Sequence, residues 1–173
     1  MMLYLMRHGL AVEPGTPGFE TDADRALTAK GRRQMRKIAA ALDELDLELD
    51  LILSSPFVRA RQTAEIVAGT LKLKKRLKFC NALAVGGDPA ILLRQLERLK
   101  PVPENLLLVG HEPGLSRLMS VLLTGDLRLS VDFKKGALCK LEIKKLRLGM
   151  CATFAWMLTP SPRMASGETT ALG

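Results

Sequence analysis

Short, nearly unbroken apolar runs alternate along this chain with longer stretches in which apolar positions recur every three or four residues. The first run, Met2 to Met6, is what a strand buried on both faces looks like. Asp50 to Ser54 and Asn105 to Val109 repeat it, and a further strand is predicted near Leu77 to Leu83. Helical patterns fill the intervals. Thr28 is placed to cap a helix whose apolar face is Met35, Ile38, Ala39, Leu42 and Leu45. Pro56 can open the next helix, Phe57 to about Leu71, because a residue in the first turn needs no amide hydrogen. Asp88-Pro89 starts a third helix running through Leu99, and Pro113 to Leu123 forms a fourth. Near the end the period changes to two. Residues 137–144 place Ala137, Cys139, Leu141 and Ile143 on one face, and Cys151 to Leu158 is the expected hairpin partner across Arg147-Leu148-Gly149. Strands alternating with helices, closed by a hairpin, predict an α/β domain with a mostly parallel, mixed sheet. Residues 1–160 are expected to form one domain, and residues 161–173, rich in Ser, Thr, Pro and Gly, a flexible C-terminal tail.

Composition narrows the class. A chain of 173 residues, 47% hydrophobic, can bury a single core. Its 26 Lys+Arg exceed its 18 Asp+Glu, a formal net charge of +8 that favours anionic partners. The lysine and arginine runs at Arg32-Arg33, 72–78 and Lys134-Lys135 are equally accounted for as solvated surface. With one Trp, one Tyr and five Phe the chain has little to stack bases on, so no nucleic-acid partner is expected. Cys80, Cys139 and Cys151 are odd in number and widely separated, which suits reduced thiols better than a disulfide framework or a zinc site. Arg7 and His8 arrive too early for a signal-peptide core, and no apolar run reaches membrane-spanning length. The expectation is a soluble cytoplasmic monomer with no membrane contact, no metal and no cofactor.

Chemistry is concentrated in three places. The chain has only two histidines, and each follows an apolar strand. Strand carboxyl ends form the ligand crevice of parallel α/β sheets. Arg7-His8-Gly9 offers an imidazole able to attack phosphorus, a guanidinium for bidentate contact with phosphoryl oxygens, and a glycine over which backbone could approach a phosphate. Alone, the tripeptide is equally a structural histidine beside a salt-bridging arginine. Ser54-Ser55-Pro56-Phe57-Val58-Arg59-Ala60-Arg61-Gln62-Thr63 follows a strand and opens a helix, where free amides favour an anion. Arg59 and Arg61 point in different directions, so at most one faces such a pocket. Val109-Gly110-His111-Glu112-Pro113-Gly114 delivers the second imidazole. Convergence of three strand ends separates a site from three unrelated surface features.

Together these segments, with the closing Thr153-Phe154-Ala155-Trp156-Met157-Leu158-Thr159-Pro160, resemble the histidine phosphatase superfamily, and within it the small SixA-type phosphohistidine phosphatases. The resemblance runs from Met2 to about Pro160. It implies a three-layer α/β/α sandwich of the phosphoglycerate mutase-like kind. It also implies in-line attack by His8 to give a transient phosphohistidine, with Arg7, Arg59 and His111 binding the equatorial oxygens and water releasing phosphate without a metal. A proton donor for the leaving atom is not assigned: Glu112, Asp22 and Asp24 are candidates, and each taken singly reads more readily as a solvated loop residue or helix cap. The substrate implied is a phosphorylated signalling protein carrying phosphohistidine, or a small phosphorylated molecule. A phosphate-ester phosphatase or mutase of the same superfamily, and a non-catalytic phosphoprotein-binding module, remain as alternatives.

Overall fold

The structure, a computed structural model, describes residues 1–160; the predicted tail at 161–173 lies outside them. Six strands form one sheet in the order β3-β2-β4-β1-β5-β6. β1 (Met2–Arg7), β2 (Leu51–Ser54), β3 (Leu77–Phe79) and β4 (Asn105–Gly110) are parallel. β5 (Leu138–Ile143) and β6 (Ala152–Leu158) add an antiparallel hairpin beside β1. Because side chains alternate across a strand, each central strand serves two cores. Leu3 and Leu5 of β1 and Leu106 and Leu108 of β4 pack on one face with Leu92, Leu96, Leu115 and Leu122. Tyr4 and Met6, with Leu107 and Val109, pack on the other with Met35, Leu42, Ala64 and Val67. Helices α1 (Ala29–Glu44) and α2 (Val58–Thr70) therefore cover one face, and α3 (Pro89–Glu97) and α4 (Gly114–Thr124) the other. This is the three-layer α/β/α sandwich.

The helix starts follow local chemistry, with differences from the sequence expectation. The Thr28 side chain accepts from the Gly31 amide at 2.9 Å, and Asp88 accepts from Ala90 at 2.8 Å, so both predicted caps form. A Cβ on Gly31 would lie 2.0 Å from the Leu10 carbonyl oxygen, so only glycine lets α1 start against the segment leaving β1. α1 stops earlier than predicted. Asp46 takes a left-handed backbone, φ 49°, and Leu45 lies past the last turn, 62% exposed rather than on the apolar face. Pro56 does not open α2. The Ser55 hydroxyl accepts from the Phe57 amide at 3.2 Å, and this turn holds Pro56 two residues ahead of a helix that begins at Val58. The third strand is three residues long and not seven. After Phe79 the chain turns through Asn81–Leu83, which brings Leu83 into the core.

The topology then dictates where a site can lie. The connections after β1 and β2 lead to helices on one face, while the connection after β4, the strand between them, leads to a helix on the other. Divergence of consecutive connections opens a crevice at the strand ends. His8, Arg59 and His111 follow those three strands.

Candidate active site

Backbone bonds first clamp the strand ends together. The His8 amide donates to the Gly110 carbonyl at 3.1 Å, and the Gly136 amide donates to the Arg7 and His8 carbonyls, each at 3.1 Å. Arg7 Nη1 donates to the Phe133 carbonyl at 2.8 Å, so the loop before β5 fixes the guanidinium from outside. Gly9 packs against the core: a Cβ there would come within 2.7 Å of Met35 Cγ, and its amide donates to Thr63 Oγ1 at 3.0 Å. That amide is thus engaged within the protein. Thr63 Oγ1 in turn donates to the Arg59 carbonyl one turn back, at 2.7 Å, which links α2 to the end of β1.

The imidazoles are buried, His8 at 5% and His111 at 3% exposure, and their ring centres are 5.0 Å apart. His8 Nδ1 lies 2.7 Å from the Gly9 carbonyl oxygen. A carbonyl only accepts, so Nδ1 carries the proton and Nε2 keeps a lone pair. Arg59 Nε donates to that Nε2 at 3.2 Å, which agrees with this tautomer. Burial, joined by the positive surroundings of His111, Arg59 and Arg7 and opposed by the Gly9 hydrogen bond, pushes the His8 pKa down to about 3. The ring is therefore neutral at neutral pH. His111 is held differently. Its Nε2 lies 2.8 Å from Ser55 Oγ, and burial together with Arg59, Arg7 and Arg25, against Asp22, lowers its pKa to about 3 as well. Phe57 packs edge-on to His111 at 5.3 Å and lies 5.5 Å from the Arg59 guanidinium carbon, walling the site with an apolar ring.

Two buried polar side-chain atoms among the described residues have no partner: Arg7 Nε and His111 Nδ1. Buried polar groups are nearly always satisfied, so two such atoms in one site mark where a polar ligand would bind. Burial lowers the Arg7 pKa, countered by Glu112 and Asp132 and reinforced by Arg59. Arg7, His8, Arg59 and His111 are brought together; Arg61 instead faces solvent beside Glu65.

The three carboxylates singled out from sequence go to three different partners. Glu112 Oε1 accepts from the Ser116 amide at 3.1 Å, capping the first turn of α4. Asp24 accepts from the Thr21 hydroxyl at 2.6 Å. Asp22 reaches the site, with Oδ2 at 2.8 Å from Arg59 Nη2 and Oδ1 at 2.6 Å from Arg25 Nη1. Desolvation raises its pKa, but the hydrogen bonds from Arg59 and Arg25 outweigh this and hold the carboxyl below its ordinary range. Sequence reasoning did not single out Ser55, Thr63 or Arg25. Ser55 and Thr63 lie inside the segment quoted for Arg59, and the one-turn spacing of Arg59 and Thr63 was the available signal. Among the described residues no group of three or more His, Cys, Asp or Glu could hold a metal ion, and no helix is long and apolar enough to cross a membrane.

Comparison with known proteins agrees with this arrangement. The profile of the histidine phosphatase superfamily (branch 1) matches residues 3–82. An uncharacterised protein of Picosynechococcus is 34% identical over 94% of this chain and 98% of its own length. The phosphohistidine phosphatase SixA of Escherichia coli K12 is 28% identical over 92% of this chain and 94% of its own. A solved structure of the protein histidine phosphatase SixA complexed with tungstate superimposes with a TM-score of 0.78 at 27% identity, covering 92% of this chain and 97% of that one. The chain belongs to the histidine phosphatase superfamily, in its SixA-type group, and is a phosphatase.

Proposed function

We propose that this phosphatase removes the phosphoryl group from phosphohistidine through a covalent intermediate on His8. The observation that carries the proposal is the state of His8: Nδ1 bound to the Gly9 carbonyl, Nε2 unprotonated, and a pKa lowered to about 3. The Nε2 lone pair forms a bond to phosphorus as the substrate's phosphorus–nitrogen bond breaks, and its electron pair departs with the substrate imidazole. Water then attacks phosphorus, the His8 bond breaks, and inorganic phosphate leaves. Arg7, Arg59 and His111 bind the equatorial oxygens, where positive charge and hydrogen bonds act on charge that builds in the transition state. The unpartnered Arg7 Nε and His111 Nδ1 support this assignment.

Three carboxylates support phosphohistidine over a phosphate ester. An alkoxide needs a proton as it leaves. An imidazole whose other nitrogen is already protonated departs neutral. Asp22, the carboxylate that reaches the site, is held ionised by two arginines and is not poised as an acid, while Glu112 and Asp24 accept from the Ser116 amide and the Thr21 hydroxyl. The likeness to SixA proteins supports the same substrate class. The net charge of +8 suits an acidic phosphoprotein as carrier. Parallel assays on a phosphohistidine protein, free phosphohistidine and phosphoserine test the proposal. Expected is a kcat/KM on the two phosphohistidines at least about 100-fold above that on phosphoserine, the order one acid–base group contributes. Equal or greater turnover of phosphoserine overturns it.

A further inference from the structure

Arg59 is engaged through all three guanidinium nitrogens in a way that its proposed role does not explain. Its Nε donates to His8 Nε2, its Nη1 to the Asp22 carbonyl and its Nη2 to the Asp22 carboxylate. Asp22 thus takes two of the three guanidinium nitrogens, and the third rests on the lone pair that would attack phosphorus. Three of the five guanidinium N–H groups are in use, and a bidentate phosphoryl contact competes with Asp22 for the fork. In-line attack needs His8 Nε2 free of Arg59 Nε. One movement resolves both conflicts, because a guanidinium released by Asp22 can turn its fork to the incoming oxygens.

The surroundings of Asp22 suit exchange better than permanent attachment. Its side chain is 48% exposed against 4% for Arg59, so it stands at the boundary between solvent and the pocket. It lies in a short 3-10 turn, Asp22–Asp24, within the loop between Val12 and Leu27. None of the residues of that turn is buried. Arg25, anchored by Nε to the Val12 carbonyl at 2.8 Å, holds the second carboxylate oxygen and gives Asp22 a partner to keep when it leaves Arg59. Carboxylate and phosphoryl groups are interchangeable acceptors for a guanidinium fork. An incoming phosphoryl dianion carries more charge than the half-exposed monoanion it would displace.

We propose that Asp22 is the resident anion of the phosphoryl subsite, exchanged on Arg59 for the phosphoryl group of the substrate and returning to Arg59 as inorganic phosphate departs. Asp22 is on this view a specificity-determining residue: it sets the affinity an anion must exceed to enter. The inference rests on the reading above that Arg59 binds the phosphoryl group.

Calorimetric titration of the full chain with inorganic phosphate tests it without turnover. In Asp22→Asn and Asp22→Ala the phosphate Kd should fall roughly 5- to 10-fold, at the lower end of coupling between competing ligands because the contact is half-exposed. KM should fall with it while kcat does not rise. Asp24→Asn removes the same charge two residues away without touching Arg59, and should change the phosphate Kd less than about 2-fold. Unchanged or weaker phosphate binding in both Asp22 variants, with thermal melting showing them folded, overturns the exchange. Equal tightening in Asp24→Asn also overturns it, since the effect would then be general electrostatics. If Arg59→Ala binds phosphate as well as the unaltered protein, the phosphoryl site itself is misassigned and the exchange falls with it.

Discussion

His8 leaves β1 and His111 leaves β4, neighbouring parallel strands, and burial brings both rings to a pKa of about 3. Up to the imidazole the two strand ends are alike. Beyond it they diverge. The Gly9 carbonyl fixes the His8 proton on Nδ1 and turns a bare Nε2 toward Arg59, whereas His111 meets a hydroxyl, Ser55 Oγ, and leaves Nδ1 without a partner. A carbonyl dictates a tautomer; a hydroxyl can give or take a proton and dictates none. The comparison teaches that burial supplies a neutral ring at both positions, and a single hydrogen-bond partner then makes one a defined lone pair and leaves the other free to donate.

The largest expected effect breaks this comparison outright. His8→Ala should reduce phosphate release by at least about 10⁴-fold, the scale of losing a covalent nucleophile, and leave no phosphoenzyme after labelling with phosphoramidate. His111→Ala should cost about 10²- to 10³-fold, as removal of one charge-stabilising donor does, while the phosphoenzyme still forms. Stopped-flow phosphate release and an acid-labile phosphoenzyme assay separate the two. Equal losses, with phosphoenzyme absent from both, would show that the histidines share one role.

Much of this was legible in the sequence because it rests on local rules. The apolar runs of β1 and β4 announce strands buried on both faces, and Thr28 and Asp88 announce helix starts, since each rule involves residues a few positions apart. Arg7, His8, Arg59 and His111 could be nominated because three strand ends point to one crevice and the segments around them resemble a known family. What stayed hidden depends on tertiary contact. Nothing local says that Gly9 would be claimed by Met35 and Thr63, or that Leu45 would lie beyond a helix that ends at Glu44. The destinations of Glu112, Asp22 and Asp24 were equally beyond reach. Three acids of one chemistry go to a helix cap, an arginine pair and a threonine, and only the folded loop decides which.

A smaller change sharpens the contrast. Ser55→Ala removes the side-chain partner that His111 Nε2 has among the described residues and leaves His8 with its own. One neutral hydrogen bond is worth about 1 kcal/mol, so kcat/KM should fall about 5-fold. Ser55→Thr, which restores a hydroxyl, should recover part of this. A loss as large as that of His111→Ala would mean that Ser55 itself contacts the phosphoryl group.

The smallest expected effect is a flat pH profile, and it is informative because both rings must comply. The kcat/KM profile reports groups of the free enzyme. With both pKa values near 3, activity corrected for the substrate's own ionisation should change less than about 2-fold from pH 5 to 8. An acidic limb near 6.5 would show that one ring titrates as if exposed. Stability should behave otherwise. Unfolding returns each histidine to an ordinary value near 6.5, so between about 3 and 6.5 the unfolded chain binds protons that the folded chain does not. The stabilising contribution is complete above pH 6.5 and declines as pH falls through that window. Thermal melts at stepped pH should therefore show falling Tm below 6.5, and replacing either histidine by Asn should shallow the slope by a similar amount. Two residues separated by orders of magnitude in catalysis would then be indistinguishable in proton linkage, as expected if burial sets the charge of both rings and hydrogen-bond partners set their chemistry.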